Sequence, residues 1–300
     1  MLYNFLMKHE TIKLAVNYKE KLNHSGKSPT LTTYILDNYD DLEPSRKRAL
    51  LLICPGGGYA CLANREAEAV AIQANAAGLH AAILRYTLAP MAFPSSLLDL
   101  AEAVRYCRLH ADEWNVDKDK IIVSGFSAGG HLAASLGIYW NGLNAGGASS
   151  EDKTPLIKKY LPYSAEEIKP NALLLCYPVI TAGEFAHRGS IENVLGENCA
   201  GKEEFVSLEN LVTPDFPPAF IWHTDEDTLV PVENSLFLSL ALRKAHVKHE
   251  LHVYGYGEHG LSLATAETAV LNDENLKERY PEGWFPQFVK WISRLFALRT

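Results

Sequence analysis

The chain has little cysteine, and what it has is poorly spaced for cross-linking. Cys54, Cys61, Cys107, Cys176 and Cys199 are five in 300 residues, an odd number with no C-x-x-C pair. That spacing suggests neither a disulfide framework nor a zinc knuckle, and unpaired thiols fit a reducing, cytoplasmic compartment. Positive charge is also short: 28 Lys and Arg stand against 36 Asp and Glu, a net charge of −8. Duplex nucleic acid is thereby disfavoured as a partner, because phosphate binding needs clustered cations. No apolar run approaches the roughly 18 residues of a membrane span, so no membrane contact is expected. Met1 to Thr11 carries a short apolar patch broken by Asn4, Lys8 and His9, without a basic start or a cleavage site, so no signal peptide is read there. Internal repeats, the G-K-[ST] ending of a P-loop, the G-x-G-x-x-G spacing and H-E-x-x-H are missing too. No metal and no cofactor are expected.

What is present has an ordinary globular balance, 47% hydrophobic and 21% charged. From about residue 48, short apolar runs alternate with amphipathic stretches, the pattern of a mainly parallel sheet covered by helices on both faces. The spacing predicts strands at Ala49–Cys54, His80–Leu88, Ile121–Ser124, Asn171–Tyr177, Ala219–His223 and His249–Tyr254. Helices are expected at Arg65–Ala77, Ser95–Ala111, Ala128–Tyr139, Val232–Ala245 and Pro286–Leu298. Thr11–Tyr18 and Leu31–Leu36 resemble strands that pair antiparallel at one edge. A loop insertion is expected over 141–165, and the mixed, turn-rich stretch Thr181–Pro218 reads as a small lid.

The most informative stretch is Gly125-Phe126-Ser127-Ala128-Gly129, which joins a buried strand directly to a helix. A serine on such a strained turn presents its hydroxyl outward, and the flanking glycines leave room for the tight backbone. Ser127 is therefore the candidate nucleophile, whereas Ser124 lies within the strand. Three further glycines, Gly56, Gly57 and Gly58, follow the first buried strand. Bare backbone there can approach a carbonyl oxygen and stabilise an oxyanion. Gly57, Gly58 and Ala128 are the candidate N–H donors, and Tyr59 beside them is the candidate substrate-binding side chain.

Three carboxylates, Asp225, Glu226 and Asp227, follow the strand Ala219–His223. Asp227 lies furthest into the turn and is pinned by Val230-Pro231, which makes it the preferred acid, with Asp225 next. The base is expected after the last strand, at His259 in the glycine-flanked loop Gly255 to Gly260. His246, His249 and His252 read as solvated or strand-face histidines, and His131 as a packing or hydrogen-bonding one. The order Ser127, Asp227, His259 is that of the α/β-hydrolase arrangement.

With these residues in hand, the sequence resembles the α/β-hydrolase esterase/lipase family, particularly its acetyl-esterase branch with xylan and xylo-oligosaccharide esterases. The matching pieces are Pro55 to Tyr59, Arg65-Glu66-Ala67-Glu68, Arg85 to Pro90, Gly125 to His131, Asp227 to Pro231 and Glu258-His259-Gly260. They cover most of residues 50 to 262. Pro55 stands where many relatives carry a histidine before the glycines, a departure from the lipase-like branch.

The expected activity is that of a serine carboxylesterase working through an acyl-enzyme. The resemblance implies short acyl groups, acetyl above all, on a small-molecule ester such as an acetylated oligosaccharide. An amide hydrolase, either an arylformamidase or a small peptidase, uses the same machinery. A non-catalytic binding module is the reading from another class. One domain over 1–300 is expected, because the pieces of the site run from Gly56 to His259. The oligomeric state, a homo-oligomer included, is left open.

Overall fold

A computed structural model describes residues 7–16, 28–41, 43–143, 154–197, 201–269 and 280–298. Eight strands form one sheet: β1 (Thr11–Lys13), β2 (Thr30–Tyr34), β3 (Arg48–Cys54), β4 (His80–Arg85), β5 (Val116–Phe126), β6 (Ala172–Cys176), β7 (Ala219–Thr224) and β8 (His249–Tyr254). Their spatial order is β1-β2-β4-β3-β5-β6-β7-β8. β1 and β2 run antiparallel at one edge, and every pairing from β4 to β8 is parallel. The chain winds outward in one direction from β3 to β4 and in the other from β5 to β8. The crevice at the carboxyl ends of β3 and β5 is thus the switch point where open α/β sheets bind ligands.

The helices are α1 (Glu68–Ala76), α2 (Ser95–Leu109), α3 (Ala128–Tyr139), α4 (Leu156–Tyr160), α5 (Ala165–Ile168), α6 (Arg188–Leu195), α7 (Glu233–Lys244) and α8 (Trp284–Phe296). Side chains alternate across a strand, and β3 divides accordingly between two cores. Leu50, Leu52 and Cys54 pack with residues of α2, α3 and α7 on one face; Ala49, Leu51 and Ile53 pack with residues of α1 and α8 on the other. Each buried leucine contributes about 1.5–3 kcal/mol. α8 carries Pro286 in its first turn, where the missing N–H costs nothing. This is the α/β-hydrolase fold.

Three expectations are corrected in detail. β5 starts five residues before Ile121: the polar Asp117 to Lys120 stretch resembles a loop, yet Val116 pairs with Arg48 before the register shifts at Leu50. The helix expected from Arg65 opens instead as a separate single turn, Asn64–Glu66, broken from α1 at Ala67, which has φ −116° and ψ −95°. β4 ends at Arg85, and Tyr86 then donates its hydroxyl proton to Pro55 O at 2.6 Å.

Residues 144–153 of the 141–165 insertion and Cys199 lie outside the described residues, as do Asn17 and Tyr18 of the first expected strand, while α4 and the start of α5 fall within the rest of the insertion. Within 181–218, α6 and two single-turn helices, Glu203–Phe205 and Leu208–Asn210, follow β6. Among the described residues no helix is long and apolar enough to cross a membrane.

The glycines around the β5–α3 turn are fixed by close backbone approach. A Cβ on Gly129 would lie 2.1 Å from Cys54 O, and one on Gly125 2.0 Å from Gly129 O. Gly129→Ala is expected to destabilise the fold by about 3 kcal/mol or more in a denaturant melt. Gly255→Ala, with nothing within 4 Å of the added carbon, should stay within about 0.5 kcal/mol of the parent; equal effects would contradict this packing.

Candidate active site

Ser127 stands between β5 and α3 with φ 53° and ψ −119°. For a residue other than glycine this costs on the order of 1–3 kcal/mol and persists only when its surroundings over-determine it. They do. Its N–H donates to Cys176 O at 3.0 Å, and its carbonyl accepts the N–H groups of Val179 and His131, both at 3.1 Å. The side chain is 6% exposed.

The loops after β7 and β8 bring Asp227 and His259 to it. His259 Nε2 lies 2.8 Å from Ser127 Oγ, and His259 Nδ1 lies 2.6 Å from Asp227 Oδ2. An ionised carboxylate only accepts hydrogen bonds, so Nδ1 carries the proton and Nε2 presents its lone pair to the serine hydroxyl. Glu226 ties the two loops together by accepting Gly257 N–H at 3.1 Å. Asp225, the second-choice acid, is exposed and donates its N–H to Tyr254 O. Ser124 is fully buried within β5.

Asp227 is 3% exposed and densely bonded. Oδ1 accepts the N–H groups of Leu229 at 3.1 Å and Val230 at 2.8 Å. Oδ2 faces His223 Nε2 at 3.3 Å as well as His259. Burial alone would raise its pKa, but the hydrogen bonds from His223 and His259, the charge of His259 and the Val230 N–H together hold it well below the ordinary carboxylate range. His223 is itself fixed, with Nδ1 2.7 Å from Ser235 Oγ and Nε2 2.9 Å from Val230 O.

The glycine loop closes the crevice from the β3 side. A Cβ on Gly56 would lie 2.9 Å from Ser127 Cβ, so this backbone rests on Ser127. Gly57 and Gly58 have φ of 123° and 64°, conformations natural to glycine. Gly56 N–H is spent on Glu66 Oε2 at 2.7 Å. The amides of Gly57 and Gly58 donate to no partner among the described residues, and the Ala128 amide, first in its helix, has no intrahelical acceptor. These amides, like those of Gly129 and Gly130 in the first turn of α3, have no acceptor within the protein among the described residues.

Tyr59, the candidate substrate-binding side chain, follows the glycine loop directly. Its side chain is 3% exposed, and its hydroxyl is 2.8 Å from His131 Nδ1, while His131 Nε2 is 2.9 Å from Val206 O. Burial pushes the His131 imidazole down to about 4, so it stays neutral, accepting from Tyr59 and donating to Val206. Through His131 the Tyr59 hydroxyl links the glycine loop to α3 and on to Val206 of the 181–218 segment.

Three side chains near the site escape a reading of the sequence. Glu66, 1% exposed, accepts Tyr177 O–H at 2.9 Å in addition to Gly56 N–H. Tyr177 sets its ring against His259 at 5.1 Å in an edge-on contact. His187, just before α6, lies beside Gly58 and is held by Ser190 Oγ at 2.7 Å from Nδ1. Burial, then the neighbouring His259, pushes its pKa down. The signals were slight: a carboxylate at a helix start looks solvated, and a histidine in a turn-rich segment looks exposed. Asn193 adds a bond from Nδ2 to Gly58 O at 2.8 Å, so α6 covers the glycine loop. His249 and His252 bond locally, to Ser239 and Glu250. Among the described residues, no group of three or more His, Cys, Asp or Glu could hold a metal ion.

Comparison with known proteins agrees with this architecture. The chain is 36% identical over 247 residues to endo-1,4-beta-xylanase B of Butyrivibrio fibrisolvens, covering 81% of this chain and 36% of the relative. It is 30% identical over 218 residues to an acetylxylan esterase of Xylanibacter ruminicola, covering 70% of this chain and 40% of the relative. It therefore spans only about two fifths or less of these relatives' length. Among solved structures, an acetyl ester-xyloside bifunctional hydrolase from Caldicellulosiruptor lactoaceticus superposes with a TM-score of 0.79 at 33% identity, covering 99% of this chain and 100% of the other. A carboxylesterase from Lactobacillus plantarum also reaches 0.79, at 26% identity, with 98% and 100% covered. The BD-FAE family model matches residues 36–242, and with well over half of its length matched the chain belongs to the BD-FAE family.

Proposed function

We propose that the chain is a serine carboxylesterase that removes short acyl groups, acetyl above all, from esters of sugars or xylo-oligosaccharides. The carrying observation is the continuous hydrogen-bonded line from Asp227 through His259 to Ser127, with distances of 2.6 and 2.8 Å. His259 Nε2 takes the proton from Ser127 Oγ as the oxygen attacks the ester carbonyl. The amides of Gly57, Gly58 and Ala128 receive the developing oxyanion, where each donor supplies about 3–4 kcal/mol. Asp227 holds His259 in the reactive tautomer and stabilises the imidazolium. His259 then protonates the departing alcohol, and water, deprotonated by the same imidazole, releases the acid.

The sugar-ester preference is supported by the names of the similar proteins, an acetylxylan esterase and an acetyl ester-xyloside hydrolase. The fold reads as one catalytic domain, since any cut between Gly56 and His259 divides the site, and the 181–218 segment serves as its lid. The thiols of Cys54, Cys61, Cys107 and Cys176 are free, which favours a reducing, cytoplasmic compartment.

Ser127→Ala is expected to lower kcat on p-nitrophenyl acetate by about 10⁶-fold; retained turnover would remove Ser127 from the mechanism. Turnover of acetylated xylo-oligosaccharides should exceed that of alkyl esters of longer acyl chains and of formyl amides, and the reverse order would replace the substrate assignment. Asp227→Asn should lower kcat about 10⁴-fold, because the imidazole then loses the correct tautomer. Burial would raise the Asp227 pKa, but the hydrogen bonds from His223 and His259 hold it well below the ordinary carboxylate range, so its carboxylate adds no proton of its own to the acid limb. The acid limb of kcat/KM should therefore fall with a one-proton slope, and a two-proton limb would contradict this assignment.

A further inference from the structure

We propose that Glu66 is a positioning residue of the esterase reaction, joining the oxyanion loop to the loop of the general base through Gly56 and Tyr177. The inference rests on the esterase reading and adds a residue to it. Glu66 Oε2 accepts the Gly56 N–H at 2.7 Å and Oε1 accepts the Tyr177 hydroxyl at 2.9 Å. Tyr177 Oη in turn accepts Ser262 N–H at 2.8 Å. The Tyr177 proton is therefore directed at Glu66, and both carboxylate oxygens act as acceptors. Only an acceptor on both sides satisfies Gly56 and Tyr177 together; an amide presents an N–H to one of them.

Its neighbour completes the connection. Arg65 Nε donates to Gly260 O at 2.7 Å, one residue past His259, and Arg65 O accepts Ser262 Oγ–H at 2.6 Å. Two consecutive residues of one short helical turn thus reach the glycine loop, Tyr177 and the 259–262 loop. These are the parts that must hold register for the serine, the base and the oxyanion donors to meet. Gly56 is wedged between them: a Cβ there would lie 2.8 Å from Glu66 Oε2 and 2.9 Å from Ser127 Cβ. The break at Ala67 follows, since a helix running straight on from Arg65 would not leave Glu66 in its separate turn, facing inward.

A carboxylate buried this deeply is costly, and burial raises its pKa against the lowering effects of Gly56 N–H, Arg65, the Tyr177 hydroxyl and His259. A structural prop alone does not require a charge. What the carboxylate supplies is a rigid two-sided acceptor at the back of the oxyanion loop. The loss of it displaces amides whose contribution is made only in the transition state, so the effect falls on kcat.

The test is a double-mutant cycle of Glu66→Gln and Tyr177→Phe on p-nitrophenyl acetate, with thermal melts of each protein. Each single change should lower kcat about 10- to 100-fold while KM stays within about twofold. The double variant should fall no further than the weaker single one, because both changes cut one connection. Unchanged kcat, a loss confined to KM, or effects that simply multiply would each overturn the proposal. Should Glu66→Gln fail to fold, Tyr177→Phe removes one oxygen and keeps the ring on His259, and its kcat alone decides. Absence of ester turnover by the parent protein would overturn the esterase reading; an active parent with a neutral Glu66→Gln overturns only the role of Glu66.

Discussion

The site depends on a single backbone constraint, the close crossing of the β5–α3 turn over the end of β3. With Cys54 O so near Gly129, and Gly129 O so near Gly125, the turn has no room to relax. Ser127 is consequently held at φ 53°. The strained residue is bonded on its N–H side to the end of β6 and on its carbonyl side to Val179 and His131. Strain of this kind persists because a large two-faced core fixes the strand ends. The helix leaving the turn directs its first amides and its positive end toward the Ser127 side of the crevice.

Around that point, two buried carboxylates have opposite electrostatic fates. Asp227 collects two backbone N–H groups and two imidazoles, and these outweigh its burial. Glu66 accepts two hydrogen bonds where Asp227 accepts four, and burial wins. The first sits behind the base and the second behind the glycine loop, so the serine lies between two anchored halves of the crevice. Neutral His131, locked between Tyr59 and Val206, extends the same scheme to the segment over the strand ends.

Much of this is legible in the chain because it is local. Buried strands ending in glycine, a serine centred between glycines and a histidine flanked by glycines announce themselves within a few residues. The central parallel strands, the antiparallel edge pair and the meeting of Ser127, His259 and Asp227 follow from those signals. What is not legible depends on distant partners. Glu66 meets Tyr177 111 residues further on, and neither residue signals the other. Tyr59 likewise has a distant partner: it is adjacent to the glycine loop in sequence, and with φ 60° its hydroxyl meets His131, 72 residues further on. The early start of β5 is hidden because Asp117 to Lys120 lie on its partly exposed end, where polarity no longer reports pairing.

The central claim is that Ser127 carries the acyl group, and trapping the intermediate tests it most directly. The protein is mixed with p-nitrophenyl acetate, quenched in acid within the first turnover, digested and analysed by mass spectrometry. The account predicts one acetyl group on the peptide containing Ser127, lost on longer incubation as water completes the reaction. Release of p-nitrophenol with an unmodified Ser127, or with a transient acetyl group on another residue, would contradict it.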